Sequence, residues 1–127
     1  MIDKHNQLLN EMKQKQLESC DKEKKLSESD MKRIIKYIDN SIFDKDNCSL
    51  WSGYVTVNKN KYINFYFNKK KTALHRLLFN NFKENIYDNS YLTYTCKNKG
   101  NCCNINHLKL KKIIYKKPSI STTVYFD

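Results

Sequence analysis

Three cysteines and one histidine lie within twelve consecutive residues of the chain, at Cys96, Cys102, Cys103 and His107. Gly100 falls between the first two cysteines, where it lets the backbone reverse tightly. A further cysteine, Cys48, lies well upstream. Thiolates and imidazoles are the ligands that zinc prefers, and four of them in a tetrahedron make a closed structural site.

The spacing of these residues predicts such a site. Five residues separate Cys96 from Cys102 and four separate Cys102 from His107, while Cys48 can supply the fourth ligand from just before a predicted strand. Adjacent residues rarely point at one small ion, so one of Cys102 and Cys103 is left out. The competing interpretation is a group of buried free cysteines beside an unrelated histidine. Structural zinc is favoured by the local density of ligand-type residues and the composition around them. In a domain with so small a core, metal binding could supply about 10 kcal/mol or more of folding free energy.

The composition favours one small domain with an extension. The chain has 127 residues, of which 39% are hydrophobic, and a mean hydropathy of −0.80, so its core must be small. No apolar run is long enough to span a bilayer, and no signal peptide is recognisable. We therefore expect an intracellular protein, cytoplasmic or nuclear, that is neither secreted nor membrane-bound. In that reducing compartment cysteines serve as metal ligands or free thiols, and Cys20 is expected to be a spare thiol.

The net charge of +11 is confined to one part of the chain. Residues 1–47 carry ten Lys/Arg and ten Asp/Glu, whereas residues 48–127 carry fourteen Lys/Arg and three Asp/Glu. A positive field of this kind attracts polyanions, so we expect nucleic acid as the partner, with double-stranded DNA first. The plainer alternative is a Lys-rich composition without a partner.

Residues 1–47 are predicted to form a charged helical extension. Residues 1–26 read as a solvated helix. Ser27 and Asp30 have the spacing of a capping box, and a second helix is expected at roughly 29–40. Its apolar face consists of Met31, Ile34, Ile35 and Ile38. The two helices could pack internally, dimerise or bind a protein partner, and internal packing is favoured for this face.

Residues 48–117 are predicted to form the zinc-binding domain, which opens with a β-hairpin. Aromatic and β-branched residues favour strands at 50–57 and 61–67, joined by a turn at 58–60. A basic turn at 68–71 follows. Alternating Lys and Tyr side chains would give this hairpin a surface suited to a phosphate backbone.

A helix at about 73–83, capped by Thr72, is expected to follow the hairpin. A short strand at 91–95 then leads into the cysteine cluster. Residues 108–115 read as strand or short helix, and residues 118–127 as a flexible tail. The side chains expected to contact nucleic acid are Lys59, Lys61, Tyr62, Tyr66, Lys69, Lys70, Lys71, Lys97, Lys99, Lys109, Lys111 and Lys112.

Three segments together resemble the His-Me finger (HNH-type) endonucleases that carry a zinc-binding loop, including intron-encoded homing endonucleases. The segments are CSLWSG at 48–53, LHRLLF at 74–79 and CCNINHL at 102–108, matching Cys-x-x-Trp-x-Gly, a His-Arg helix start and Cys-x-Asn-x-x-His-Leu. The resemblance spans residues 48–110. It implies an α+β fold, a small zinc-stabilised hairpin-plus-helix domain. It also implies a ligand set of Cys48, Cys96, Cys102 and His107, with Cys103 in a variable position and Ile105 where the family usually has Pro.

The chain departs from the family at the catalytic position. The general base of the family is the His two residues before the first loop cysteine, and that residue is Tyr94 here. A phenol titrates near pH 10, so it is a poor base at neutral pH. The family's divalent cation is commonly held by a downstream Asn, and none follows Asn106. Mg²⁺ is therefore expected only if cleavage survives, with His75 as the weak candidate for a substitute base.

Three functions compete on this reading. The first is a catalytically degenerate, zinc-containing nucleic-acid-binding protein on a homing-endonuclease-like fold. The second is an active metal-dependent endonuclease with relocated catalytic groups. The third is a zinc-stapled adaptor that binds a protein partner through its N-terminal helices.

Overall fold

The computed structural model describes residues 3–57, 61–87 and 90–112, and over these ranges the chain is α+β. The helices are α1 (Lys4–Lys15), α2 (Glu28–Ile35) and α3 (Leu74–Phe82). The strands are β1 (Asn64–Phe67), β2 (Lys70–Ala73), β3 (Ser90–Tyr94) and β4 (Leu108–Lys112). β1 pairs with β2 and β3 with β4, each antiparallel, as two separate sheets. The predicted turn at 58–60, which includes Lys59, and the tail at 118–127 lie outside the described residues.

The start of α2 is the predicted capping box. The Asp30 amide donates to the Ser27 hydroxyl at 3.1 Å, and the Ser27 amide donates to the Asp30 carboxylate at 3.0 Å. The helix ends at Ile35, earlier than the predicted end near residue 40, because the chain then pairs elsewhere. Ile38 forms an isolated antiparallel bridge with Trp51, which draws this segment out of the helix.

The N-terminal helices pack into the same core as the rest of the chain. Leu8 of α1 and Ile34 of α2 belong to one buried cluster with Phe65 and Leu77. The core therefore crosses the predicted boundary at residue 47. The predicted apolar face of α2 is at most 7% exposed at each position, which confirms that it packs internally. None of the described helices combines the length and apolarity needed to cross a bilayer.

Asn81, on α3, forms hydrogen bonds with the segment at 16–26, between α1 and α2. Its side-chain oxygen accepts hydrogen bonds from the Gln16 amide group at 2.8 Å and the Leu26 backbone N–H at 2.9 Å. Its amide nitrogen donates to the carbonyls of Lys24 and Leu77 at 2.8 and 2.7 Å. Since this side chain is fully buried, the pairing satisfies all of its polar groups. Residues 16–26 thus follow α3 instead of extending α1.

The first hairpin lies later in the sequence than predicted. β1 and β2 are joined at Asn68 and Lys69, which have φ values of 49° and 67°, as a two-residue hairpin turn requires. The prediction of a regular strand at 50–57 is wrong, since isolated bridges replace a ladder there. Thr72 lies in β2 and does not cap the helix; α3 begins after Ala73, which makes no side-chain cap bond.

The second hairpin carries the cysteine cluster in its connecting loop. β3 matches the predicted strand closely, and Tyr94 pairs with Leu108 where the loop leaves and re-enters the sheet. The inward residues Leu92 and Leu110 pack against a small cluster that contains Phe79 of α3. The loop is therefore held at both ends by the sheet and from beneath by α3.

Candidate metal centre and adjoining cleft

The structure brings the four predicted ligand side chains close together. The ligand atoms of Cys48, Cys96, Cys102 and His107 all lie within 4.8 Å of one another. The Nδ1 atom of His107 lies 3.4 Å from the Cys48 sulfur and 3.5 Å from the Cys102 sulfur. Zn–S bonds of about 2.3 Å and Zn–N bonds of about 2.0 Å place tetrahedral N and S ligands about 3.5 Å apart. The cluster could therefore bind a metal such as zinc, as the sequence predicted.

The backbone decides between the two adjacent cysteines. Leu50 bridges Cys102 in antiparallel fashion, and the Cys103 amide donates to the Ser49 carbonyl. In extended backbone, consecutive side chains point to opposite sides. Cys102 accordingly faces the ligand cluster, whereas Cys103 lies in the hydrophobic core at 1% exposure. Sequence spacing alone left this choice open.

Gly100 shapes the loop between Cys96 and Cys102. Its backbone φ of +94° is one that residues other than glycine rarely adopt. A Cβ atom at this position would lie 2.6 Å from the Cβ of Lys61. The glycine thus serves two purposes, reversing the chain and admitting close contact with Lys61. This contact places the metal loop directly beside the segment that precedes β1.

Asn104 joins the two halves of the metal centre. Its amide nitrogen donates to the carbonyls of Asp44 and Asn47 at 2.8 and 2.7 Å, holding the turn that precedes Cys48. Its oxygen accepts from the Asn106 amide at 2.8 Å, fixing the approach to His107. The side chain is fully buried. Asn104 therefore positions ligands that are distant in sequence.

Hydrogen bonds within the turn before Cys48 also stabilise it. The Asp44 carboxylate accepts hydrogen bonds at 2.9 Å from the backbone amides of Asp46 and Asn47. These bonds, with that of Asn47 foremost, lower the pKa of Asp44 to about 2. Asn98 donates to the Cys48 sulfur at 3.2 Å, a bond suited to a thiolate ligand. The turn is thus a formed structure on which Cys48 is presented.

Without a bound metal, the environment of Cys96 and Cys102 favours the protonated thiols over the thiolates. Burial raises the pKa of Cys102 to about 12 and also raises that of Cys96. A divalent cation would reverse this preference, because metal coordination deprotonates thiols outright. The chemistry of the donor set therefore fits zinc.

A cleft of about 540 Å³ adjoins the metal loop. Its described lining consists of Lys61, Tyr62, His75, Tyr91, Leu92, Thr93, Tyr94 and Lys99. The ring centroid of His75 lies 5.4 Å from that of Tyr94 and 6.3 Å from that of Tyr62. Tyr94, at the position where the resembling enzymes carry their base, and His75, the weak candidate for a substitute, thus line one cleft.

Burial controls the chemistry of that pair. It lowers the pKa of His75 to about 4, with a smaller contribution from the neighbouring Arg76, so the imidazole is neutral at pH 7. It raises the pKa of Tyr94 far above the usual range for a phenol. Neither group can serve as a strong base at neutral pH.

The residues predicted to contact nucleic acid fall into separate surfaces. Lys61, Tyr62 and Lys99 line the cleft. Tyr66 and Lys71 pair across the first hairpin and are exposed, while Lys69 and Lys70 are exposed at its turn. Lys109, Lys111 and Lys112 are exposed on β4, and Lys97 is exposed in the metal loop. Sequence reasoning missed the cleft residue Tyr91 and the roles of Asn98 and Asn104, although Asn104 stood in the motif of the resemblance.

Comparison with known proteins finds a viral relative. The uncharacterized protein R328 of Acanthamoeba polyphaga mimivirus is 51% identical to this chain over 111 residues, which is 84% of this chain and 32% of that protein. The chain thus spans about a third of the length of this curated relative. No protein-family model matches the chain, and no solved structure matches it.

Proposed function

We propose that this chain is a zinc-binding, nucleic-acid-binding protein, with double-stranded DNA as the first candidate ligand, on a His-Me finger-like fold that has lost cleavage. The supporting observation is a set of exposed lysines around the metal loop that have no acidic partner among the described residues. All four salt bridges among the described residues lie between positions 11 and 33. The lysines of the described basic half are thus left to interact with an external anion.

Strand pairing in the second hairpin places two of these lysines on one face of the sheet. Tyr91 pairs with Lys111 and Thr93 pairs with Lys109, so these four side chains share the face of the sheet opposite Leu92. Tyr91 and the two lysines are exposed. A face that alternates cations with an aromatic ring suits the phosphates and sugars of nucleic acid, which accept hydrogen bonds from lysine and tyrosine.

Zinc would have a structural role in this proposal. Three cysteines and a histidine close the coordination sphere, leaving no position for a reacting water. The metal would hold the β3–β4 loop against Cys48 and so fix the basic surface. The loss of cleavage is supported by Tyr94, whose neutral phenol stands where the resembling enzymes carry their base.

A salt titration tests the binding. The affinity for a duplex of about 20 base pairs should fall linearly with salt on logarithmic axes, with a slope of about −0.9 for each phosphate neutralised. We expect the double variant Lys109→Gln and Lys111→Gln to reduce the magnitude of that slope by nearly 2, provided both lysines contact phosphates. Lys25 and Lys36, exposed in the neutral half, give the matched control Lys25→Gln and Lys36→Gln. Absence of duplex and single-strand binding at low salt would overturn the proposal and favour an adaptor.

A second candidate, an endonuclease with a relocated base, is supported by one observation: His75 lies beside Tyr94 in the cleft. Two features weigh against it. The pKa of His75, about 4, makes the imidazole a weak base. The described lining of the cleft also contains no carboxylate that could hold Mg²⁺.

We expect no nicking of supercoiled DNA when the purified protein is incubated with Mg²⁺. The variant Tyr94→His restores the base of the resembling family and should give detectable nicking if only that base was lost. Nicking by the unmodified chain that disappears in His75→Ala would establish the endonuclease instead. Retained zinc in each variant shows that a loss of activity is not a loss of folding.

A further inference from the structure

The cleft beside the metal loop has a lining unlike that of a simple phosphate site. Three rings follow one another along it: Tyr62, His75 and Tyr94, with centroid separations of 6.3 and 5.4 Å. Leu92 adds an apolar side chain. Tyr91, which is 44% exposed, lies on the opposite face of β3 from Leu92 and Tyr94 and borders the cleft at the edge of the sheet. Flat faces of this kind stack on nucleobases, whatever their sequence.

Two polar atoms of the lining residues lack partners. The hydroxyl of Tyr94 and the Nδ1 atom of His75 are buried, and neither has a hydrogen-bond partner among the described residues. Unpaired buried groups of this kind are uncommon in folded proteins and often mark a functional site. Because neither atom is accessible in the free protein, the lining must adjust for a ligand to reach them.

The chemistry of these two atoms favours a base edge over a phosphate. A tyrosine hydroxyl both donates and accepts, and a neutral imidazole carries one donor and one acceptor nitrogen. A phosphodiester offers acceptors only, whereas the edge of a nucleobase offers both. The two lysines of the lining, Lys61 and Lys99, are exposed and supply cations for the attached phosphate.

The size of the cleft is compatible with a nucleotide. Its volume of about 540 Å³ lies within the range of roughly 300–1,000 Å³ that small-ligand sites occupy in proteins. A base within an intact duplex is stacked on both sides and cannot enter such a cleft. An unpaired or extruded base can, and its removal from the stack costs least where it is already unpaired.

We propose that this cleft binds one unpaired nucleotide, with its base against the rings of Tyr62, His75 and Tyr94, with Tyr91 at the rim, and with its phosphate near Lys61 and Lys99. This inference rests on the proposed nucleic-acid binding and deepens it. The ligand class becomes nucleic acid with a bulged, flipped or single-stranded nucleotide, in preference to a perfect duplex.

The test compares three probes at one salt concentration. The first is a perfect duplex, the second carries a single bulged 2-aminopurine, and the third carries an abasic residue at the bulge. We expect the base-bearing bulge to bind about tenfold more tightly than the abasic bulge, as stacking of one base on aromatic side chains typically gives. The 2-aminopurine fluorescence should be quenched on binding. DNA and RNA versions, and free nucleoside monophosphates, distinguish the possible sources of the nucleotide.

Substitutions in the cleft test whether its side chains cause the preference for the base-bearing probe. Tyr62→Leu and Tyr91→Leu remove rings but keep apolar bulk, and each should reduce the preference for the base-bearing probe several-fold. Tyr87→Leu is the matched control, because Tyr87 is 74% exposed and lies outside the lining. Tyr94→Phe retains the ring and should change the order of preference among bases. Zinc content and circular dichroism verify folding in each case.

Two outcomes separate this inference from the function on which it rests. Equal affinity for the abasic and base-bearing bulges, with normal salt dependence, overturns the cleft proposal and leaves nucleic-acid binding standing. Binding to none of the probes overturns both. A base preference that survives the two tyrosine variants would place the nucleotide elsewhere on the protein and contradict the inference.

Discussion

Cys102→Ser is expected to abolish zinc binding and cooperative folding, whereas Cys103→Ala leaves one zinc bound per chain. The two residues are adjacent and equally buried, at 1% exposure each. Only Cys102 lies with the other candidate ligands; Cys103 belongs to the hydrophobic core. Structural zinc contributes about 10 kcal/mol or more in small modules, while a whole domain is stable by about 5–15 kcal/mol. Loss of the metal should therefore remove most or all of the stability.

The measurement combines metal analysis with thermal unfolding. Purified protein should contain close to one equivalent of zinc, and a strong chelator should abolish the cooperative transition. Cys103→Ala should lower the free energy of unfolding by only about 1–2 kcal/mol, the usual effect of removing a small buried group. Cys20→Ala is a second control, since Cys20 is buried away from the cluster. A Cys102→Ser protein that keeps its zinc would show that the ligand set is misassigned.

The metal centre could be predicted from sequence because it depends on side-chain type and local spacing. Cys96, Cys102 and His107 lie in one hairpin loop, where a few intervening residues limit how far apart they can be. Cys48 was placed with them by chemistry, since a fourth ligand was needed. Spacing left the choice between Cys102 and Cys103 open, and the resemblance implied Cys102. The physical reason is the backbone pairing with residues 49 and 50, which no spacing reveals.

The first hairpin could not be predicted in the same way. Strand propensity shows that a segment fits a sheet but does not identify its partner. The aromatic run at 50–57 read as a strand, yet Leu50 and Trp51 each pair with a single distant residue. β2, in contrast, is lysine-rich and gave no strand signal. Its pairing depends on the turn at Asn68 and Lys69, where asparagine tolerates a positive φ more readily than most residues.

The sequence pattern also could not predict that the N-terminal helices share one core with the rest of the chain. The apolar spacing of α2 correctly indicated a buried face, but periodicity does not say what covers it. In the structure that face meets the same cluster as Phe65 and Leu77. The cleft escaped prediction for a similar reason. Tyr62, His75 and Tyr94 come from three separate segments, and only the tertiary fold brings their rings together.

Asn104→Asp is expected to destabilise the protein by about 2–5 kcal/mol, because it turns a buried donor into an acceptor. The amide of Asn104 donates to the carbonyls of Asp44 and Asn47, and a carboxylate of the same shape cannot donate. The Asn47 carbonyl then loses this donor, the Asp44 carbonyl keeps only that of Asn106, and a buried carboxylate faces both oxygens. Each unpaired buried group costs about 1–3 kcal/mol. Zinc affinity should fall about 10–100-fold, the usual consequence of losing a group that orients metal ligands. Urea unfolding and a competitive zinc titration measure the two effects.

The neighbouring Asn106 provides the control for this substitution. It also donates to loop carbonyls, those of Phe43 and Asp44 at 3.2 and 3.1 Å, but it is exposed, so water can replace its bonds. Asn106→Asp should therefore cost about 1 kcal/mol or less and leave the zinc affinity nearly unchanged. If both variants behave alike, Asn104 has no positioning role. A selective loss in Asn104→Asp, with folding recovered at saturating zinc, would instead show that this amide brings together the two halves of the site before the metal binds.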